Sequence, residues 1–282
     1  MTSLAYRLLN VFAIDGQKFS GNPLCVFEDA RGLDDATMQA LALQFNLSET
    51  TFILPSDKAT AKVRIFTPSF EMPFAGHPTL GTAHVVREIS TAGNAVSLEM
   101  KAGVIPVTAK GATWTLQANP PTWRKVDATS AQLADMLGIE PVHIASEPLW
   151  VNTGSEQLII PLATSEAVRR CEPRIELLKR YGTTNTERFL AYVWSHDRDN
   201  TILARFFFAK GNAYAEDPAT GSACANLGGW FITSHFTLPL NKRIRQGELI
   251  HQPCELKLKV DEEARILVSG LVVEMGRGSI TI

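Results

Sequence analysis

Apolar and polar positions alternate along much of the chain with the two-residue period of half-buried strands. Tyr6–Ile14 is the first such run. Pro23–Phe27 is a second, after the turn chemistry of Gly21-Asn22-Pro23. From Asp34 or Asp35 to Phe45 the period becomes helical, with Met38, Leu41, Ala42 and Phe45 on one face. Strands resume at Glu49–Leu54, with Ser48-Glu49 at its mouth, and at Ala61–Phe66, which Thr67-Pro68 ends. A helix is predicted over Pro78–Ile89 with His77 as its N-cap, because proline suits the first helical position. Three strands joined by tight turns follow, at Ala95–Met100, Val104–Ala109 and Thr113–Gln117.

Asn119-Pro120-Pro121-Thr122 reads as an extended connector and a boundary. Beyond it the order of events repeats. A helix is predicted at Ser130–Leu137, a strand at Gln157–Pro161, helices at Ser165–Arg170 and Arg174–Tyr181, and strands at Arg188–Trp194 and Thr201–Phe208. A helix over Pro218–Ser234 comes next, with Asp217 as N-cap, then strands at Arg243–Gln246, Leu256–Val260 and Ala264–Val273. Set beside each other, His77-Pro-Thr-Leu-Gly-Thr-Ala83 and Asp217-Pro-Ala-Thr-Gly-Ser-Ala223 share Pro, Gly and Ala at an offset of 221 − 81 = 140. Upstream, Val63-Arg64-Ile65-Phe66 faces Ala204-Arg205-Phe206-Phe207. Both copies read as strand, irregular turn and capped helix, which points to internal duplication. Two helix N-termini brought to one cleft between similar domains would suit a small carboxylate, since unpaired N–H groups and helix dipoles favour anions.

Composition narrows the function classes. With 45% hydrophobic and 20% charged residues the chain is an ordinary globular sequence, and no apolar run approaches the roughly 20 residues of a membrane span. The net charge of −2, from 27 basic and 29 acidic residues with no dense basic run, disfavours nucleic acid and acidic membranes as partners. The N-terminus, with Arg7 and Asn10 inside its apolar run, reads as a strand rather than a signal peptide. Cys25, Cys171, Cys224 and Cys254 lie far apart, against a disulfide framework or zinc site, so a cytoplasmic location is expected. His77 and His84 could share a helix face, but no third ligand has metal spacing. Neither G-x-G-x-x-G after a strand nor a phosphate-binding loop motif occurs, so no cofactor is expected.

The pieces Gly21-Asn22-Pro23, Ser48-Glu49-Thr50, Arg64-Ile65-Phe66-Thr67-Pro68, Gly76-His77-Pro78-Thr79, Glu216-Asp217-Pro218-Ala219-Thr220-Gly221-Ser222-Ala223 and Gln246-Gly247, in this order, resemble the phenazine-biosynthesis isomerase (PhzF-like) family of the diaminopimelate-epimerase fold. The resemblance implies an α/β protein of two pseudo-symmetric domains, each a curled, mostly antiparallel sheet around a central helix. The domains would be 1–118, with a returning C-terminal strand at about 266–282, and 119–265, with the active site between the central helices. It implies a cofactor-independent isomerase that moves a proton or double bond on a small, cyclic, carboxylate-bearing substrate, and a homodimer. Glu49 matches the family's acid/base carboxylate, with His77 and Asp217 beside it in the catalytic set. Ser48, Gly76, His77, Asp217, Gly221 and Ser222 match positions that line the site and hold substrate.

The same fold hosts racemases and epimerases that use two thiols, one at each helix start. Here those positions read Ala75 and Ala219, so a two-thiol racemase is disfavoured. The rival class is a module that binds a small carboxylate or a partner protein without turnover, because fold alone does not fix function.

Overall fold

The computed structural model describes residues 2–282. The chain divides into two compact units, Met1–Gln117 with Ser269–Ile282, and Ala118–Val268. The first contains β1 (Ser3–Ala13), β2 (Asn22–Phe27), α1 (Asp35–Phe45), β3 (Thr50–Leu54), β4 (Ala61–Phe66), β5 (Glu71–Met72), α2 (Gly76–Ile89), β6 (Ala95–Met100), β7 (Gly103–Lys110) and β8 (Thr113–Gln117). The second contains β9 (Thr122–Lys125), α3 (Ser130–Leu137), β10 (Leu149–Asn152), β11 (Glu156–Pro161), α4 (Ser165–Arg170), α5 (Ile175–Tyr181), β12 (Leu190–His196), β13 (Thr201–Lys210), β14 (Ala213–Asp217), α6 (Gly221–Thr233), β15 (Leu240–Gln246) and β16 (Cys254–Val260). The last strand, β17 (Ile266–Thr281), starts in the second unit and continues into the first.

In the first unit the strands close on themselves. β17 pairs with β1, β1 with β2, β2 in parallel with β3, β3 with β4, β4 in parallel with β6, β6 with β7, β7 with β8, and β8 again with β17. The ring surrounds α2, whose residues His77 to Val86 are all buried. An apolar helix of this kind has no face for water, so a sheet must curl round it. Gly81 sets how closely they meet: a Cβ there would stand 2.5 Å from Leu24 Cδ2 and 2.9 Å from Val11 Cγ2. On the outer face Met38, Leu41 and Ala42 of α1 pack on Phe27, Phe52 and Phe66, with Phe27 and Phe52 stacked at 4.9 Å between centroids.

The second unit repeats six pairings of the first, those from β1–β2 through β6–β7 with the short β4–β5 hairpin included. β10 pairs with β11, β11 in parallel with β12, β12 with β13, β13 with β14, β13 in parallel with β15, and β15 with β16. Its buried helix is α6, which packs on β10, β11 and β16. The fold class expected from the sequence, α/β with a curled and mostly antiparallel sheet around a central helix, is what each unit shows.

Two expected helix starts are corrected. α2 begins at Gly76 with Ala75 as N-cap, so His77 is the second helical residue and not the cap. α6 begins at Gly221 with Thr220 as N-cap; Asp217 instead ends β14, and its carboxylate accepts from Thr220 Oγ1 at 2.5 Å. The reason is that proline is tolerated anywhere among the first orphan donors of a helix or just before it, so Pro78 and Pro218 do not mark equivalent positions. Aligned by structure, Glu71-Met-Pro-Phe-Ala-Gly76 matches Glu216-Asp-Pro-Ala-Thr-Gly221, an offset of 216 − 71 = 145 rather than 140. Pairing fixes this register: Phe66 opposes Glu71 and Phe207 opposes Glu216, while the strands themselves differ by 207 − 66 = 141. The second hairpin is four residues longer, which shifted the apparent match.

Candidate active site

α1, α3 and α4 each carry a capping side chain, from Asp34, Thr129 and Thr164. The two central helices carry none, and neither has an acidic residue in its first turn. Their first backbone N–H groups therefore lack the usual side-chain acceptor, which favours an anion there.

In the first unit β2 pairs in parallel with β3, Cys25 opposite Thr50, and Asn22 opens β2. Glu49 immediately precedes β3, where its side chain is 16% exposed, and Glu49 Oε2 lies 3.5 Å from His77 Nδ1. Asn22 Nδ2 also lies 3.5 Å from His77 Nδ1. His77 is 5% exposed, and burial pushes its imidazole down to about 3, the carbonyl of Pro23 pulling weakly the other way. His77 is thus neutral at working pH, so no imidazolium stands beside Glu49. Among the described residues, His77 Nε2 and Thr50 Oγ1 are buried and meet no hydrogen-bond partner. Gly76 is half-buried at the helix start, and Ser48 lies exposed beside Glu49.

In the second unit Gly221 and the half-buried Ser222 open α6. The loop before them is fixed by Gln246, whose Nε2 donates to the Asp217 carbonyl at 2.8 Å and to Thr220 Oγ1 at 3.1 Å. Gly247 follows at φ 81°, and a Cβ there would collide with the Gln252 carbonyl at 2.3 Å and the Pro218 carbonyl at 2.7 Å. Only glycine lets that turn press on the loop. Ser222 Oγ accepts from Gln157 Nε2 at 2.8 Å, and Gln157 Oε1 accepts from Asn226 Nδ2 at 2.7 Å. Sequence reasoning gave no role to Asn22, Gln157, Thr220, Asn226 or Gln246. The available signal was a polar residue inside an apolar run, as Gln157 is before Leu158-Ile159-Ile160.

The repeat shows which chemistry is asymmetric. Thr50 opposes Phe66, and Ala191 opposes Phe207, its repeat equivalent. Thr50 therefore corresponds to Ala191, and Glu49 to Leu190, which is buried. The 145-residue offset likewise matches His77 with Ser222. One copy holds a carboxylate that can exchange a proton, and the other holds a leucine. The cysteines do not substitute. Burial pushes Cys25 up to about 12, and pushes Cys224 further above the usual thiol range. Among the described residues no His, Cys, Asp or Glu group is arranged to hold a metal ion, and no helix is long and apolar enough to cross a membrane.

Comparison with known proteins places the chain in a family. The model of the phenazine biosynthesis-like (PhzC–PhzF) family matches residues 9–278. The chain belongs to that family. Among its relatives is a protein of Pasteurella multocida named an uncharacterized isomerase, 40% identical over all of this chain and 96% of that one. A trans-2,3-dihydro-3-hydroxyanthranilate isomerase of Pseudomonas fluorescens is 31% identical over 98% of this chain and 99% of its own. The crystal structure of a PhzF-family phenazine biosynthesis protein of Bacillus anthracis superposes over the full length of both chains with a TM-score of 0.87 at 23% identity, a likeness of fold.

Proposed function

We propose that this PhzF-family chain is an isomerase in which Glu49 takes a proton from one carbon of a small cyclic carboxylic acid and returns it to another. The relatives named trans-2,3-dihydro-3-hydroxyanthranilate isomerase supply the substrate class to try first. Glu49 as carboxylate accepts the proton, the electron pair left behind moves through the adjacent double bond, and the carboxylic acid reprotonates the far carbon. Nothing is oxidised or reduced, so a single carboxyl group completes the cycle. The observation that carries this reading is the pairing of Glu49 with a neutral, buried His77 at 3.5 Å, in a repeat whose other copy has Leu190 at the equivalent place.

In the first unit His77 takes an orienting role toward the substrate's amine or hydroxyl, and Ser48 and Gly76 bind it, with the first N–H groups of α2 offered to its carboxylate. In the second unit Asp217 takes the orienting role and Gly221 and Ser222 the binding one, at the start of α6. The test is exchange in D₂O with trans-2,3-dihydro-3-hydroxyanthranilate, read by mass spectrometry, beside substrate affinity by calorimetry. Glu49→Gln is expected to bind within about threefold of the parent and to lose roughly 10²- to 10⁴-fold in exchange, the usual worth of a positioned acid/base. Equal deuterium uptake by variant and parent overturns the assignment of Glu49.

A further inference from the structure

We infer that Gln157 is a positioning residue whose side-chain amide, held in one orientation by Asn226, turns Ser222 into a dedicated hydrogen-bond donor toward the substrate's carboxylate. The inference rests on the reading of Ser222 as a substrate-binding residue and goes beyond it by naming what fixes the direction of its hydroxyl.

Direction can be followed atom by atom, because the network is anchored on backbone groups that have no choice of role. The Thr153 backbone N–H can only donate, and it does so to Asn226 Oδ1 at 2.9 Å, joined there by Thr153 Oγ1 at 2.7 Å. That oxygen is therefore the acceptor end of the Asn226 amide. The opposite end, Nδ2, donates to the Ser155 carbonyl at 2.8 Å, which can only accept. Its second donation, 2.7 Å to Gln157 Oε1, fixes Gln157 in turn. Gln157 Nε2 is then the donor to Ser222 Oγ at 2.8 Å. A hydroxyl that accepts this bond keeps its own proton for another acceptor, and a carboxylate oxygen is the strongest one available to a group at an uncapped helix start.

Burial makes the arrangement rigid. Asn226 is fully buried and Gln157 is 1% exposed, while Ser222 is only half-buried. Flipping either amide would set N–H against N–H and leave buried polar atoms unsatisfied. In the first unit Asn22 reaches His77, the repeat equivalent of Ser222, at 3.5 Å.

The substitution that separates this role from simple packing is Gln157→Glu. A glutamate there still accepts from Asn226 Nδ2 and still fits, but it presents an acceptor to Ser222 and draws the hydroxyl proton inward. Binding of trans-2,3-dihydro-3-hydroxyanthranilate is expected to weaken about tenfold or more, as in Ser222→Ala, with KM rising and kcat within about threefold. Gln157→Glu added to Ser222→Ala should weaken it no further. Independently of any ligand, side-chain amide protons of Gln157 should show NOE contacts to the Ser222 Hβ protons in ¹⁵N-edited spectra. Parent-like affinity in folded Gln157→Glu, additive losses in the double variant, or Gln157 amide protons that face away from Ser222 would each overturn the inference. If the parent itself fails to bind the acid, the substrate reading falls, and the NMR contacts alone decide the orientation.

Discussion

At the scale of single residues, His77 is a buried group whose charge state depends on folding. Its imidazole titrates near 3 in the folded chain against an ordinary value of 6.5, because burial disfavours the cation. Between those values the unfolded chain holds a proton that the folded chain refuses. Stability from this group is therefore complete above about pH 6.5 and declines as the pH falls toward 3. For one such histidine the loss between pH 7 and pH 5 comes to about 2 kcal/mol. His77→Gln removes that dependence while keeping a polar side chain, so unfolding free energies from urea melts at pH 7 and pH 5 should differ less in the variant than in the parent by that amount. The parent's remaining slope belongs to other groups, including His84 and His196, which burial also pushes down. An unchanged slope in His77→Gln would place the proton-refusing site elsewhere.

At the scale of elements, the repeated feature before each central helix is an Arg–Glu clasp across a hairpin. Arg64 donates from Nε and Nη2 to Glu71 at 2.8 and 2.6 Å, and its guanidinium lies 5.0 Å from the Phe66 ring. Arg205 does the same to Glu216 at 3.1 and 2.8 Å, over Phe207 at 4.6 Å. The second clasp is the more deeply set. Its side chains are 8% and 3% exposed, against 18% and 11%. Arg205 Nη1 also donates to the carbonyls of Val168, Arg169 and Cys171 at the end of α4. Losing Arg205 strands a buried carboxylate, so Arg205→Met should cost about 3–5 kcal/mol. Arg64→Met, in a wetter clasp, should cost roughly 1–2 kcal/mol. Thermal midpoints of the two variants check the order, and Arg205→Met with Glu216→Gln should recover part of the loss. Equal midpoints for the single variants would mean that depth does not govern the clasp.

The same elements show what a sequence discloses. The long periodic strands and α1 were legible because their burial alternates as their side chains do. α3 and α4 were legible as helices, and the structure adds their caps, Thr129 and Thr164. β5 was not, since two residues, Glu71 and Met72, carry no period and the strand exists only as the far side of a clasp. The apolar pattern alone ends near Val273, whereas β17 spans Ile266–Thr281 and runs through Gly276-Arg277-Gly278. Its ladder with β1 needs only backbone, and Gly278 leaves room for the Tyr6 ring opposite, whose Oη would lie 2.5 Å from a Cβ. Of the candidate site, Glu49, His77 and Ser222 were legible through their motifs. Their partners Asn22 and Gln157 were not, because β2 and β11 bring them to the helix starts from far along the chain.

At the scale of the whole molecule, the two ends of the chain complete one unit. Thr2 and Ile282 exchange backbone bonds at 2.8 and 3.0 Å, and β17 then runs antiparallel to β1 as far as Ala13 opposite Leu271. Because β17 also pairs with β8, its segment from Ser269 onward is the stave that closes the first unit's ring. Without it β1 and β8 become open edges, and Phe12, whose ring lies so close that a Cβ on Gly270 would come within 2.2 Å of it, loses its cover. The second unit, Ala118–Val268, keeps its own buried helix and the full run of pairings from β9 to β16. Deleting Ser269–Ile282 should therefore unfold the units unequally. Hydrogen exchange is expected to show β1, β8 and α2 losing most of their protection while β11–β13 and α6 retain theirs. Protection lost to the same degree in both would mean that the second unit cannot hold its structure by itself. Protection kept in both would mean that β17 adds nothing to the ring it closes.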